Sequence, residues 1–381
     1  MNAERLLFAF TDIDDYFIEA AKKSPQNRSK KRAAVWASLA ACIAVIVVGF
    51  FVYNNQPDKE LPMLSVADFD SSGMGMEAYW AYSIDELINK NPWTPDSTPQ
   101  TLPVYKNELY SSMSTGNFES TDRKELEKLL LDAAKKLGMD TGKLSPLYDS
   151  RTNTLYVEDE NYHAEITPGL NINVTAKNKS ALPEGYTLGY YESYDEYHKS
   201  AEYLIDKFSD FLEMDKPVIN INGGDYDIYG RRSLHLEIYD GEGNAKEQIK
   251  AYNFESVRFY TDDDGLLHIS KSCRDSTYSS LGSYPIISAD KALDMLLDGN
   301  YVTSVFQEIK GKEKVKKVEL VYHTSLLSEA FMPYYKFYVE IEHTGDIEKD
   351  FPGIKIYGAY YVPAVESRYI KNLPQRNGHI N

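Results

Sequence analysis

Ser233-Leu-His-Leu-Glu-Ile-Tyr-Asp240-Gly-Glu-Gly-Asn244 decides the fold class. Leu234, Leu236 and Ile238 alternate with His235 and Glu237, the period-two pattern of a strand with one apolar face. The glycines that follow read as a hairpin turn. The pattern extends outward on both sides. Strands are expected near 217–222, 248–260 and 265–271, with Asp262-Asp-Asp-Gly265 as a second turn. Strands that follow one another through short turns pair antiparallel.

Helices punctuate these runs. One is expected from Asp122 to Leu137, capped by Thr121, striped by Leu126, Leu129, Leu130, Ala133 and Leu137, and stopped by Gly138. A second covers Tyr194 to Met214, and a third Ala289 to Leu297 between Ser288 and Gly299. Further strands are expected at 154–158, 163–175, 315–323, 333–342 and 356–363. The predicted fold class is α+β: antiparallel sheets each packed by a long helix, outside one N-terminal transmembrane helix. The 31 tyrosines fit β-rich structure, since Tyr favours strands.

The membrane segment is the run Ala33–Tyr53, which holds no charged residue. About 20 helical residues span a bilayer core. Trp36 and Tyr53 stand at its ends as aromatic anchors, with Cys42 inside. Lys30, Lys31 and Arg32 precede it and set the topology, because positive residues stay inside. The N-terminus is therefore expected in the cytoplasm, and residues 54–381 beyond the cell membrane. Leu39-Ala-Ala-Cys42 is similar to a lipobox, but eleven apolar residues follow it, and Phe50-Phe-Val-Tyr53 is a poor cleavage site. An uncleaved anchor is expected.

The expected organisation is a tail at 1–32, the anchor at 33–53, and a proline-rich lead-in at 54–118. A first α+β subdomain follows at 119–280, and a second at 281–381. The lead-in carries a short helix at 84–89 and a strand at 102–106. In the tail, Leu6, Phe10, Ile13 and Phe17 form one helical stripe flanked by acidic residues. Such a stripe suits docking into a groove of a protein partner in the cytoplasm or membrane.

Charge narrows the partners. The chain carries −17 overall, and residues 1–32 are net basic, so the remainder is more acidic still. Nucleic acid is a poor partner for such a surface. Of the two cysteines, Cys42 lies in the apolar run and Cys273 beyond it, so no disulfide within the outer part is expected.

Motifs for chemistry are sparse. Ser288-Ala-Asp-Lys291 matches a Ser-x-x-Lys pattern, but the partner motifs of that chemistry are missing and Ser288 reads as a helix cap. His235 and Glu237 share one strand face, and His268 lies in another strand. A metal site across strands would need such residues, although ordinary strand histidines fit as well. Asp225-x-Asp227 and Asp262–Asp264 offer oxygen ligands without the register of a calcium loop. No catalytic residue, metal or cofactor is assigned.

Two stretches resemble known families. Asp12-Ile-Asp-Asp15-Tyr-Phe-Ile-Glu19-Ala-Ala21-Lys-Lys, Lys30-Lys-Arg and Trp36-Ala-Ser-Leu-Ala-Ala-Cys42 resemble N-termini of Firmicutes single-pass proteins, some of them anti-sigma-factor-like. The second stretch comprises Ser288-Ala-Asp-Lys-Ala292-Leu-Asp-Met-Leu-Leu297, Val318-Glu-Leu-Val-Tyr322, Met332-Pro-Tyr-Tyr-Lys-Phe-Tyr338-Val and Tyr360-Tyr-Val-Pro-Ala364. It is similar to modules of the YycH/YycI and PepSY type. The resemblance implies a regulatory role, restraining a sensor kinase or binding a protease, and carries over no catalytic residue. The expected function is a non-enzymatic single-pass membrane regulator or sensor. The alternatives are a cell-surface hydrolase with a site assembled from distant residues, and a structural surface protein.

Overall fold

The computed structural model describes residues 61–66, 76–110, 123–273, 278–343 and 347–375. The chain divides into two compact units, Met1–Glu60 and Leu61–Asn381, and every described residue lies in the second. The tail stripe (Leu6, Phe10, Ile13, Phe17), the basic cluster (Lys30, Lys31, Arg32) and the anchor (Trp36, Cys42, Tyr53) fall outside the described residues. Among those described, no helix is long and apolar enough to cross a membrane.

In chain order, β1 (Ala78–Ala81) and β2 (Thr101–Asn107) precede α1 (Arg123–Lys136). Four strands follow, β3 (Leu147–Asp149), β4 (Thr154–Glu158), β5 (Tyr162–Ile166) and β6 (Asn171–Ala176). Helices α2 (Tyr194–Lys207) and α3 (Ser209–Leu212) lead to β7 (Pro217–Tyr226) and β8 (Arg232–Asp240). Then come α4 (Ala245–Phe254), β9 (Val257–Thr261), β10 (Leu267–Ser272), β11 (Tyr278–Pro285) and α5 (Ala289–Leu297). Strands β12 (Val315–Tyr322), β13 (Ala330–Phe331) and β14 (Pro333–Ile341), helix α6 (Ile347–Asp350) and strand β15 (Lys355–Pro363) complete the order.

Three antiparallel sheets result. The largest has eight strands in the order β3-β4-β5-β6-β10-β9-β8-β7. Its inner face is apolar by alternation: Ile172, Val174 and Ala176 on β6, Leu234, Leu236 and Ile238 on β8. Helices α1 and α2 close that face with Leu126, Leu130, Ala133, Tyr197, Ala201 and Leu204, in one shared core. Ser193 and Glu196 form a reciprocal cap that fixes the start of α2.

The four-stranded sheet has the order β1-β15-β14-β12. From Ile356 to Pro363 every residue of β15 is buried, because apolar clusters lie on both faces of the strand. Such a strand loses its alternation and reads as a continuous apolar run. The third sheet, β11-β2-β13, is built partly from the proline-rich lead-in.

The expected fold class is corrected here. The described residues are 36% strand and 24% helix, with few and short helices. The two longest helices, 14 residues each, both lie on the eight-stranded sheet. The smaller sheets meet only helices of nine and ten residues, so a long helix on every sheet does not hold.

Smaller corrections have local causes. The strand expected at 248–260 is α4 followed by β9, because Asn244 accepts from the amides of Lys246 (2.9 Å) and Glu247 (3.4 Å) and starts a helix. Asp240–Asn244 is therefore a lead into that helix and not a hairpin turn. The strand expected at 163–175 is the β5–β6 hairpin, turned where Leu170 adopts φ +56°. The second helix breaks after Lys207, and Glu213 in the left-handed region ends α3. The helix at 84–89 is one 3₁₀ turn, Ile84–Glu86, and β11 is an element the sequence reading did not contain.

Candidate functional site

The site begins at a pair of glycines. Gly223 and Gly224 interrupt β7 at φ +101° and +102°, and the register with β8 shifts between Gly223 and Tyr226. This is a β-bulge, which re-aims the side chain that follows it. The glycines are required because residues 86–90 run along this edge of β7. Ile88 exchanges backbone hydrogen bonds with Gly223 (2.9 and 3.1 Å), and Lys90 N–H donates to Asn220 Oδ1 (2.8 Å). Asp225, just past the bulge, faces a cleft of about 480 Å³ between β7–β8 and the four-stranded sheet.

Across the cleft, β14 supplies Lys336. Its ammonium donates to Glu77 Oε1 (2.8 Å) and to the Tyr79 hydroxyl (2.7 Å). The rings of Tyr79, Tyr338 and Tyr361 enclose it at 4.7, 4.9 and 5.8 Å, within cation–π range. Tyr79 and Tyr361 donate in turn to Glu77. Burial alone would lower the Lys336 pKa, but the surrounding tyrosines and Glu77 overcome it and hold the ammonium well above its ordinary value. Burial would likewise raise Glu77, and Lys336 with the two tyrosine hydroxyls brings it below the usual carboxylate range.

A second pair lies alongside. Glu319 is buried and accepts from Lys317 Nζ (2.7 Å), Asn89 Nδ2 (2.5 Å) and the Tyr338 hydroxyl (3.0 Å). On the facing sheet, Arg258 Nη2 donates to Glu237 Oε1 (2.8 Å). Three of the acids around the cleft thus carry their own cation.

Asp225 does not. Its carboxyl has no ion pair or hydrogen bond to another side chain among the described residues, and burial raises its pKa. Nearby, His235 stands at the mouth, where desolvation and the Arg258 guanidinium push its imidazole down. His323 is driven further, to about 4, by burial, against the pull of Glu77. The Tyr252 hydroxyl also lines the cleft without a hydrogen-bond partner among the described residues, and burial raises its pKa.

The cleft opens onto the outer face of the eight-stranded sheet. Glu165, Asn173, Ser270, Arg258, Glu237 and Asn220 stand in register across six strands. Within that row, Ser270 Oγ donates to Asn173 Oδ1 (3.0 Å) and Asn173 Nδ2 to Glu165 Oε1 (3.3 Å). An adjoining groove of about 800 Å³ shares His235 with the cleft and is bordered by Tyr190 and Tyr260. Tyr260 stacks flat on His268 at 4.9 Å.

The residues singled out in the sequence divide cleanly. Ser288 is a helix cap, its Oγ accepting from the Lys291 amide (3.2 Å). His268 is engaged at both nitrogens, with Thr175 Oγ1 (3.1 Å) and Asp262 Oδ2 (2.9 Å). Asp262 also accepts from the Leu266 amide, and Asp227 binds Arg231 and the amides of its own turn. No group of three His, Cys, Asp or Glu able to hold a metal occurs among the described residues. His235, Glu237 and Asp225 all line the cleft without forming such a group. Lys336, Tyr252 and Glu319 carried no motif; the Gly-Gly pair inside a strand was the available signal. No protein-family model matches the chain, and a search of curated proteins finds no match.

Proposed function

We propose that the chain is a single-pass membrane sensor or regulator that works by binding, with residues 54–381 outside the cell membrane and a polar ligand held in the inter-sheet cleft. The observation that carries the reading is the unpaired carboxyl of Asp225 in a cavity whose other acids are already matched. Charges locked in mutual pairs form a pre-set surface suited to recognition. The uncharged run 33–53 behind Lys30, Lys31 and Arg32 supports the anchor and its orientation. The striped tail (Leu6, Phe10, Ile13, Phe17) supports a cytoplasmic or membrane protein partner. The likeness of the last hundred residues to regulatory modules points the same way.

Two measurements test this. Leu147 is 53% exposed, so Leu147→Cys in intact cells is expected to react with a membrane-impermeant maleimide. Reaction only after lysis would overturn the orientation. Deleting residues 1–20 is expected to remove co-purifying proteins, and an unchanged set of partners would overturn the role of the tail.

A further inference from the structure

We infer that the cleft takes its ligand through a protonated primary amine seated against the Asp225 carboxylate. The inference rests on the binding reading above and names the chemistry of what binds. A half-buried carboxylate with no ion pair, held by its own backbone amide alone, is an unfavourable arrangement until a cation reaches it. The local cations are committed elsewhere. Lys336 is held by Glu77 and Tyr79, and Lys317 by Glu319 and the Leu87 carbonyl (2.7 Å). Neither is free to swing to Asp225, which leaves a ligand as the source of a paired cation.

The surroundings select an ammonium. A divalent cation needs several oxygen or imidazole ligands, and no such trio is present among the described residues. A primary ammonium carries three donors. The lining of the cleft also includes the Tyr252 hydroxyl and the Asn222 amide, neither of which has a hydrogen-bond partner among the described residues. The acidic balance of the chain, −17, raises the local concentration of cationic ligands.

Two sources share this chemistry, an amino sugar and a lysine side chain, and the test separates them. The full-length chain in detergent micelles, labelled with ¹⁵N-histidine, presents seven imidazoles, of which His235 and His323 line the cleft. The probes are the glucosamine disaccharide and its N-acetylated form, and Gly-Lys-Gly and its Nε-acetyl form. An amine probe is expected to move the His235 signal, and its acetylated partner to bind at least about tenfold more weakly. The tighter of the two amines identifies the source. Asp225→Asn is expected to weaken the amine by about tenfold or more with the melting temperature retained, whereas Asp206→Asn, exposed on α2, leaves it unchanged. Equal binding of amine and acetylated probes, or full binding to Asp225→Asn, overturns the ammonium inference and leaves the cleft reading intact. Probes that move neither His235 nor His323 at millimolar concentration overturn both.

Discussion

The carbonyl oxygen of Glu86 occupies the place where a side chain on Gly224 would begin: a Cβ built on Gly224 would stand 1.8 Å from it. The strap at residues 86–90 and the β7 bulge are therefore one construction, and Asp225 owes its aim to both. Gly224→Ala meets backbone that has no room to move, at a φ of +102°. Gly138, which ends α1 at φ +81°, has nothing within 4 Å of the same position. Gly138→Ala is expected to cost about 1 kcal/mol from the left-handed backbone alone. Gly224→Ala should cost clearly more and weaken any ligand held by Asp225. Urea unfolding of the two variants compares them directly, and equal losses would contradict the close-approach account.

Two tyrosines of the cleft make a matched test. The Tyr338 hydroxyl donates to buried Glu319, while the Tyr252 hydroxyl has no hydrogen-bond partner among the described residues. Tyr338→Phe removes a hydrogen bond to a charged group, a loss of roughly 1.5–3 kcal/mol. Tyr252→Phe is expected to change stability by less than about 0.5 kcal/mol, and its effect should appear in ligand binding. Denaturation midpoints check the first statement, and histidine chemical shifts under titration check the second.

Lys336 and Glu77 form the charged centre opposite Asp225. The Lys336 side chain is 12% exposed and that of Glu77 is 36% exposed, so water screens part of the pair. Lys336→Met is expected to cost about 2–3 kcal/mol, below the figure for a fully buried pair broken on one side. The pH dependence has two arms. Glu77 is depressed in the folded chain, so its contribution is present above its ordinary value of 4.5 and lost as pH falls through the folded value. Lys336 is raised, so its contribution is present below its ordinary value of 10.5 and lost as pH rises through the folded one. In Lys336→Met, burial of Glu77 is no longer opposed by the ammonium, so the loss at the acid end should shrink, and adding Glu77→Gln should remove what remains of it. Urea midpoints between pH 3 and 7 measure it.

What the sequence disclosed follows from range. Alternation and capping are local, so β8, α1, α2 and α5 could be read from their own residues. Helix α4 was equally local, and its Asn244-x-x-Glu247 cap stood in the chain. Ile249, Ala251, Val257 and Phe259 stand among polar residues at strand-like spacing, so the stretch mimics a strand. β15 was recognisable as apolar, but nothing in it tells which sheet it crosses. The cleft is non-local in every part, joining residues 79, 89, 225, 235, 252, 319 and 336 from two sheets, a strap and helix α4. Asp225 and His235 were noticed only as fragments of metal sites. The distinction between Asp225 and Asp227 required the bulge, which sends the first into the cleft and leaves the second capping its own turn.

His323 gives the fold a specific response to mild acid. It sits on the cleft wall, bonded to Ser328 Oγ at 2.9 Å, and burial brings its pKa from an ordinary 6.5 to about 4. The folded chain thus refuses a proton that the unfolded chain accepts between those values. The stability linked to His323 is complete above pH 6.5, falls as the pH drops toward 4, and is exhausted below it. The span corresponds to at most about 3 kcal/mol. A His323→Gln variant has no proton to refuse. It should therefore start less stable than the parent at pH 7, and the gap should close by about 2–3 kcal/mol at pH 4. Guanidinium unfolding at both values tests this, and a gap that stays constant with pH would mean that His323 titrates as a solvated imidazole.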